Sequence, residues 1–175
     1  MLGFGKKNLI PYWDKFEKEG SFVTKSSLSI GYSQDIVLPV KSGTYFSYFM
    51  SAEEDDLFIK QYEKAKAKGL KYDWPPSDLV LIHESYLDEI HKLYSIKEKV
   101  GSFPIDGASY PVVDSSIFSD LNLNGKKNFF EEYFCQGGHG VIKNKGVLIS
   151  LSDDGSGNTY IAKKNSETVL VNIQS

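Results

Sequence analysis

Apolar positions in this chain recur mostly at a period of two, in short runs broken by glycine, asparagine, aspartate and serine. The last third shows this most clearly. From Gly138 to Ile173, four β-rich runs (Gly-Val-Ile, Val147–Leu151, Thr159–Ala162 and Thr168–Ile173) alternate with Asn-Lys-Gly, Ser-Asp-Asp-Gly-Ser-Gly-Asn and Lys-Lys-Asn-Ser-Glu. Such turn residues tolerate positive φ, and the runs between them suit a pleated surface, so the pattern predicts an antiparallel meander. Ser21–Tyr32, Asp35–Val40, Thr44–Met50 and Asp78–His83 read as further strands. Pro39 confines its strand to an edge or an end. Thr44–Met50 is aromatic on both faces, which predicts cover on both.

Helical spacing appears in fewer places. Ile10, Trp13 and Phe16 recur at threes and predict a helix over Asn8–Glu19 stopped by Gly20. Ser51–Gly69 reads as the clearest helix, with Ser51-Ala-Glu-Glu54 as a capping box and Phe58, Tyr62 and Ala65 as its buried stripe. Glu53, Glu54, Asp55 and Asp56 crowd its positive end, and Lys64, Lys66 and Lys68 its negative end. Glu84–Val100 forms a third helix with Tyr86, Leu87, Ile90, Leu93 and Tyr94 on one side, and Lys126–Phe134 a short aromatic one. Residues 102–125 read mostly as loop, with a turn or two of helix capped by Asp114. No linker or repeat divides the chain. The expectation is one α+β domain spanning residues 1–175, mainly antiparallel sheet, with the C-terminal β-meander packed against three or four helices.

Composition narrows the function classes. The formal charge is −3, and all 20 basic residues are lysine. Arginine is the preferred side chain for bidentate phosphate and base-edge contacts, so its absence argues against a nucleic-acid binder. Cys135, the single cysteine, fits a reducing compartment. The N-terminus lacks the apolar core of a signal peptide, and no run is long and apolar enough to span a bilayer, so a cytoplasmic protein without membrane contact is expected.

Motifs that carry chemistry are sparse. His83-Glu84 lacks the second histidine of a zinc helix, since Leu87 stands there. Glu84, Asp88 and His91 share a helical face in the expected helix, opposite its apolar stripe, where any amphipathic helix is polar. Cys135-Gln-Gly-Gly-His139 is the most enzyme-like string, because an imidazole across two glycines is placed to activate a thiol; a buried cysteine before a glycine cap is the plainer explanation. Asp153-Asp154-Gly-Ser-Gly-Asn158 misses the calcium-loop spacing, with Lys164 at the twelfth position, and reads as a hairpin loop. No cofactor is expected and no enzyme activity is assigned.

Leu148-Ile-Ser-Leu-Ser-Asp-Asp-Gly-Ser-Gly-Asn-Thr-Tyr-Ile161 resembles the strand–loop–strand of SMI1/KNR4-like (SUKH) proteins. Leu38-Pro39 lacks that superfamily's Pro-x-x-Tyr continuation, so its whole fold is not expected. In profile (size, acidity, aromatic content) the chain is similar to bacterial toxin-immunity proteins, including those of contact-dependent inhibition systems. That resemblance implies a binding protein that masks a cognate secreted toxin, a nuclease being the kind an acidic inhibitor suits. The contacts it implies are Glu53, Glu54, Asp55 and Asp56 at one helix start, and Asp153, Asp154 and Tyr160 near the meander. The alternatives are a small enzyme using Cys135 and His139 and a non-catalytic adaptor.

Overall fold

The structure, a computed structural model, describes residues 7–52, 55–71, 77–120 and 139–175. Eleven strands form two sheets, and every pairing in them is antiparallel. The strands are β1 (Glu17–Thr24), β2 (Ser27–Ile30), β3 (Ile36–Pro39), β4 (Gly43–Ser51), β5 (Ser77–His83), β6 (Glu98–Ile105), β7 (Ser109–Asp114), β8 (Gly140–Ile142), β9 (Gly146–Ser150), β10 (Gly155–Lys164) and β11 (Glu167–Gln174). The first sheet runs β1-β4-β5-β11-β10-β6 and the second β3-β2-β7-β9-β8. Three α-helices lie among the described residues: α1 (Asp56–Ala67), α2 (Ile90–Ser95) and α3 (Ser116–Asp120).

The two sheets pack face to face. Phe22, Tyr45, Phe49, Leu79, Leu81, Val171 and Ile173 of the first meet Leu28, Ile30, Tyr110, Val112, Val147 and Ile149 of the second. Period-two alternation puts these residues on the inner faces, which is why the pattern was readable. The first sheet is apolar on its outer face too. Val80, Ile82 and Leu170 there are covered by Ile10, Trp13, Ile90, Leu93 and Tyr94. Ile117 and Phe118 of α3 cover the second sheet's outer face at Val113, Ile142 and Leu148.

Sheet membership alternates along the chain, and the crossings are pinned by hydrogen bonds. At Lys25-Ser26 the chain leaves the first sheet for the second. There the Asp114 carboxylate accepts from Thr24 Oγ1 at 2.8 Å, Lys25 N at 2.6 Å and Ser116 N at 2.9 Å. It returns after β3, where Lys41 N donates to Thr168 O at 2.9 Å. Gly43, at φ 136°, begins β4 there, and a Cβ on it would lie 2.5 Å from His83 Nε2. The β6–β7 and β9–β10 crossings hold each other: Leu151 N donates to Ala108 O at 2.7 Å, and Ala108 N to Asp154 Oδ1 at 2.6 Å.

All four sheet edges are blunted. Glu19 is an extra residue in β1, bulged between Lys18 and Gly20, and Val23 N is taken by Asn144 O at 3.1 Å. Val100 is the extra residue in β6, and Pro104 removes a donor from the same strand. β3 has four residues and ends on Pro39, and β8 has three. Bulges, prolines and short length are the usual defences against strand addition.

Several sequence expectations need correction. The predicted helix over Asn8–Glu19 is only a 3-10 turn at Trp13–Lys15; Tyr12 is left-handed at φ 56°, and Glu17 onward pairs with β4. Ser21–Tyr32 is two strands in different sheets. The Ser51 capping box does not form, because Ser51 ends β4 and Asp55 caps α1, accepting from Leu57 N at 3.0 Å. Glu84–Val100 divides into a 3-10 stretch with non-helical Tyr86, then α2, then β6, which supplies β10 with its edge partner. Residues 102–120 hold strand and helix rather than loop; Pro111 sits in β7 one residue beyond the last β2 pair, where a missing N–H is tolerated. The C-terminal run does contain four strands, but β8–β9 belong to the second sheet and β10–β11 to the first, so it is two hairpins, not one meander. The helix expected at Lys126–Phe134 lies outside the described residues. β3, β4, β5 and the Asp114-capped α3 fall where the pattern put them.

Asp114 is 3% exposed, and its hydrogen bonds outweigh burial to hold its carboxyl below the ordinary range. Its contribution is therefore present above about pH 4 and lost as the pH falls through the lower folded value. Asp114→Asn is expected to cost about 2 kcal/mol at pH 7, by the loss of charge-assisted bonds to otherwise buried donors. Urea melts at pH 7 and pH 3 check this, with the deficit shrinking in acid.

Candidate functional site

Strand register gathers acidic residues at one end of the first sheet. Ser51 at the end of β4 opposes Ser77, Asp78 opposes Gln174, and Gln174 opposes Asn158. Asp55 and Asp56 follow β4, and Asp153 and Asp154 precede β10, so both pairs lie at this end. Asp106, just past Ile105, joins them through the Gly155–Ile105 pair.

These carboxylates are not equivalent. Asp55 is committed to structure: it caps α1 and pairs with Lys15, whose ammonium holds the Asp55 carboxyl below its ordinary range. Lys15 and Tyr12 also pack on Phe58, the one buried residue of α1; Tyr62 and Ala65 are half-buried. Asp154 holds the crossing at Ala108, while Asp153 Oδ1 accepts from Asp154 N at 2.8 Å. Asp56, Asp153 and Asp154 are exposed. The loop expected to be a hairpin is thus a sheet-to-sheet connection that displays Asp153. Tyr160 is not part of the acidic end. It opposes Asn172, two residues further into the sheet than Asn158, and lies half-buried with its ring 5.4 Å from Lys97 Nζ. Glu53 and Glu54 lie outside the described residues.

Histidine chemistry is accounted for by packing. His139 Nδ1 accepts from Ser150 N at 3.3 Å, which leaves Nε2–H to donate to Glu19 Oε2 at 3.0 Å. Both ring nitrogens are engaged between β1 and β9; Cys135 is outside the described residues. His83 is buried, with Nδ1 accepting from Ser85 N and Nε2 donating to Ser42 O. The face expected to join Glu84, Asp88 and His91 does not exist, because the helix breaks at Tyr86; His91 instead accepts from Ile10 N and meets Trp13 edge-on. Among the described residues no three His, Cys, Asp or Glu side chains gather as a metal site, and no helix is long and apolar enough to cross a membrane.

Sequence reasoning missed a buried polar network beneath the acidic end. Asp78, 8% exposed, accepts from Tyr94 Oη at 2.7 Å and from Asn172 Nδ2. Asn172 Nδ2 also donates to Leu79 O at 2.8 Å, and Gln174 Nε2 bridges Tyr94 Oη at 3.0 Å and Asn172 Oδ1 at 3.1 Å. Burial pushes the Asp78 carboxyl up to about 6. The signal was present as Asn172 inside Val-Leu-Val-Asn-Ile, a polar residue in an otherwise buried strand.

No protein-family model, curated protein or solved structure matches this chain.

Asn172 is fully buried and serves three partners. Asn172→Ala is expected to cost about 3 kcal/mol, because Asp78 and the Leu79 carbonyl lose a donor inside the protein. Thermal denaturation measures the loss. A variant melting within a degree of wild type would show that the network carries no stability.

Proposed function

We propose that this protein is an immunity-type binding protein that acts in the cytoplasm, docking on a cognate secreted toxin and covering its active surface. In this reading the chain catalyses nothing and needs no cofactor. The observation that supports it is the display of Asp56, Asp153 and Asp154, with half-buried Asp55 beside Asp56, at one end of a six-stranded sheet. Carboxylates held at a helix start and on a pinned crossing lose little freedom on binding, and they steer a basic partner such as a nuclease cleft toward that end. The blunted edges support the same reading, since they disfavour partners that bind by adding a strand.

Co-expression with the product of the neighbouring gene tests the proposal. The expected result is a stable 1:1 complex that abolishes that product's toxicity. Asp56→Lys with Asp153→Lys is expected to slow association roughly tenfold at low salt and to flatten the salt dependence. Both side chains are exposed, so the double variant is expected to stay folded and to lose about 1 kcal/mol, from the first turn of α1 and the Asp153–Asp154 bond. A harmless neighbour that forms no complex sinks the proposal, and unchanged association by the double variant removes the acidic end as the interface.

A further inference from the structure

The Asp78 network joins a carboxylate on β5 to a helix that has little to hold it in place. α2 has six residues and no side-chain N-cap, so its helicity depends on what it packs against. Ile90 and Leu93 supply apolar cover, and Tyr94 reaches past them to Asp78. We propose that Asp78, buried beneath Tyr94 of α2, is a proton-linked latch, its burial holding α2 firmly on the sheet in mild acid and loosening it toward neutral pH.

Hydrogen-bond donors, aromatic rings and one ammonium surround the carboxylate. From α2 and the turn after it come the Tyr94 hydroxyl and Lys97. β11 contributes the neutral amides of Asn172 and Gln174. Tyr160 faces Tyr94 from β10, and Tyr110 of β7 approaches from the inner layer. Lys97 is the one cation acting on Asp78 among these groups, and it is occupied elsewhere: its ammonium sits 3.4 Å from the Tyr94 ring centroid and donates to Tyr94 O at 3.2 Å. The ionised carboxylate thus receives two hydrogen bonds and the field of one half-buried ammonium. This compensates burial only in part, and the Asp78 carboxyl rises to about 6.

The sign follows from linkage. A carboxyl whose folded value is raised stabilises the closed form fully below its ordinary range, about pH 4, and that contribution is lost as the pH rises through about 6. Lifting α2 removes Tyr94 and rehydrates Asp78, returning it toward its ordinary value. Opening is therefore favoured above pH 6 and disfavoured below it. The same opening withdraws Ile96, the C-cap of α2, from a cleft of about 380 Å³ that it lines with Val100, Ile161 and Lys163. None of this depends on the identity of a partner.

Amide hydrogen exchange on the full chain tests the latch. The opening constant of the Leu93 and Tyr94 amides, corrected for intrinsic exchange, is expected to rise on the order of 100-fold between pH 4 and pH 7, the factor a shift of about two units allows. Asp78→Asn is expected to abolish the rise. Tyr94→Phe removes a hydrogen bond that favours the charged form, so the rise persists with its midpoint moved to higher pH. An unchanged rise in Asp78→Asn, or a flat profile in wild type, overturns the proposal. Carbon-13 titration of the Asp78 carboxyl in the native protein decides the matter even where a variant fails to fold: a midpoint near 4 overturns it.

Discussion

The architecture depends on one buried carboxylate. Asp114 ends β7, caps α3 and receives the backbone of the β1–β2 crossing, so a single side chain ties the first sheet, the second sheet and the helix outside it. Chain segments that pass from one sheet to another leave backbone donors without a ladder partner. Such donors cost free energy when buried unless something accepts from them. Asp114 accepts at one crossing, Thr168 O at another, and Asp154 with Ala108 at the remaining pair. The two-layer stack of apolar faces supplies the bulk of the driving force, and these acceptors decide where the chain can change layers.

Asp78 and Asp114 show how the same residue type takes opposite roles. Both are nearly inaccessible to solvent. Asp114 collects backbone and hydroxyl donors around its carboxylate, and the charged form is favoured. Asp78 receives a phenol and an amide, and burial wins. Among the described residues Asp114 receives four donors and Asp78 two, and Asp78 is also the more deeply enclosed of the two. One aspartate therefore strengthens the fold as the pH rises out of the acid range, while the other strains it.

The acidic end of the first sheet and the strained carboxylate beneath it lie within the same few strand ends. Asp55 and Asp154 are spent on a helix cap and a crossing, which fixes the backbone that presents Asp56 and Asp153. A surface built in this way suits recognition by charge. Among the described residues the imidazoles of His83 and His139 have both nitrogens engaged.

What was legible in the sequence followed from local periodicity. Short β-rich runs bounded by turn residues marked β3, β4, β5 and the four C-terminal strands, β5 as a continuous apolar run because it is covered on both faces. Asp114 was readable as a cap because a short polar side chain before a helix has few other uses. Tertiary structure decided the rest. Glu17–Gly20, the first half of β1, and Glu98–Ile105 are strands because β4 and β10 need neighbours, a demand that local spacing does not carry. The acidic end was named residue by residue, yet nothing local could say that the chain near Asp55 and near Asp153 would share a sheet end, or that Tyr160 would lie on the face instead. Asp78, Tyr94 and Asn172 are far apart in sequence and meet only through β5–β11 pairing and the docking of α2. Periodicity reports which face of an element is buried; which elements share that burial is settled by long-range pairing, and chemistry that spans elements is settled with it.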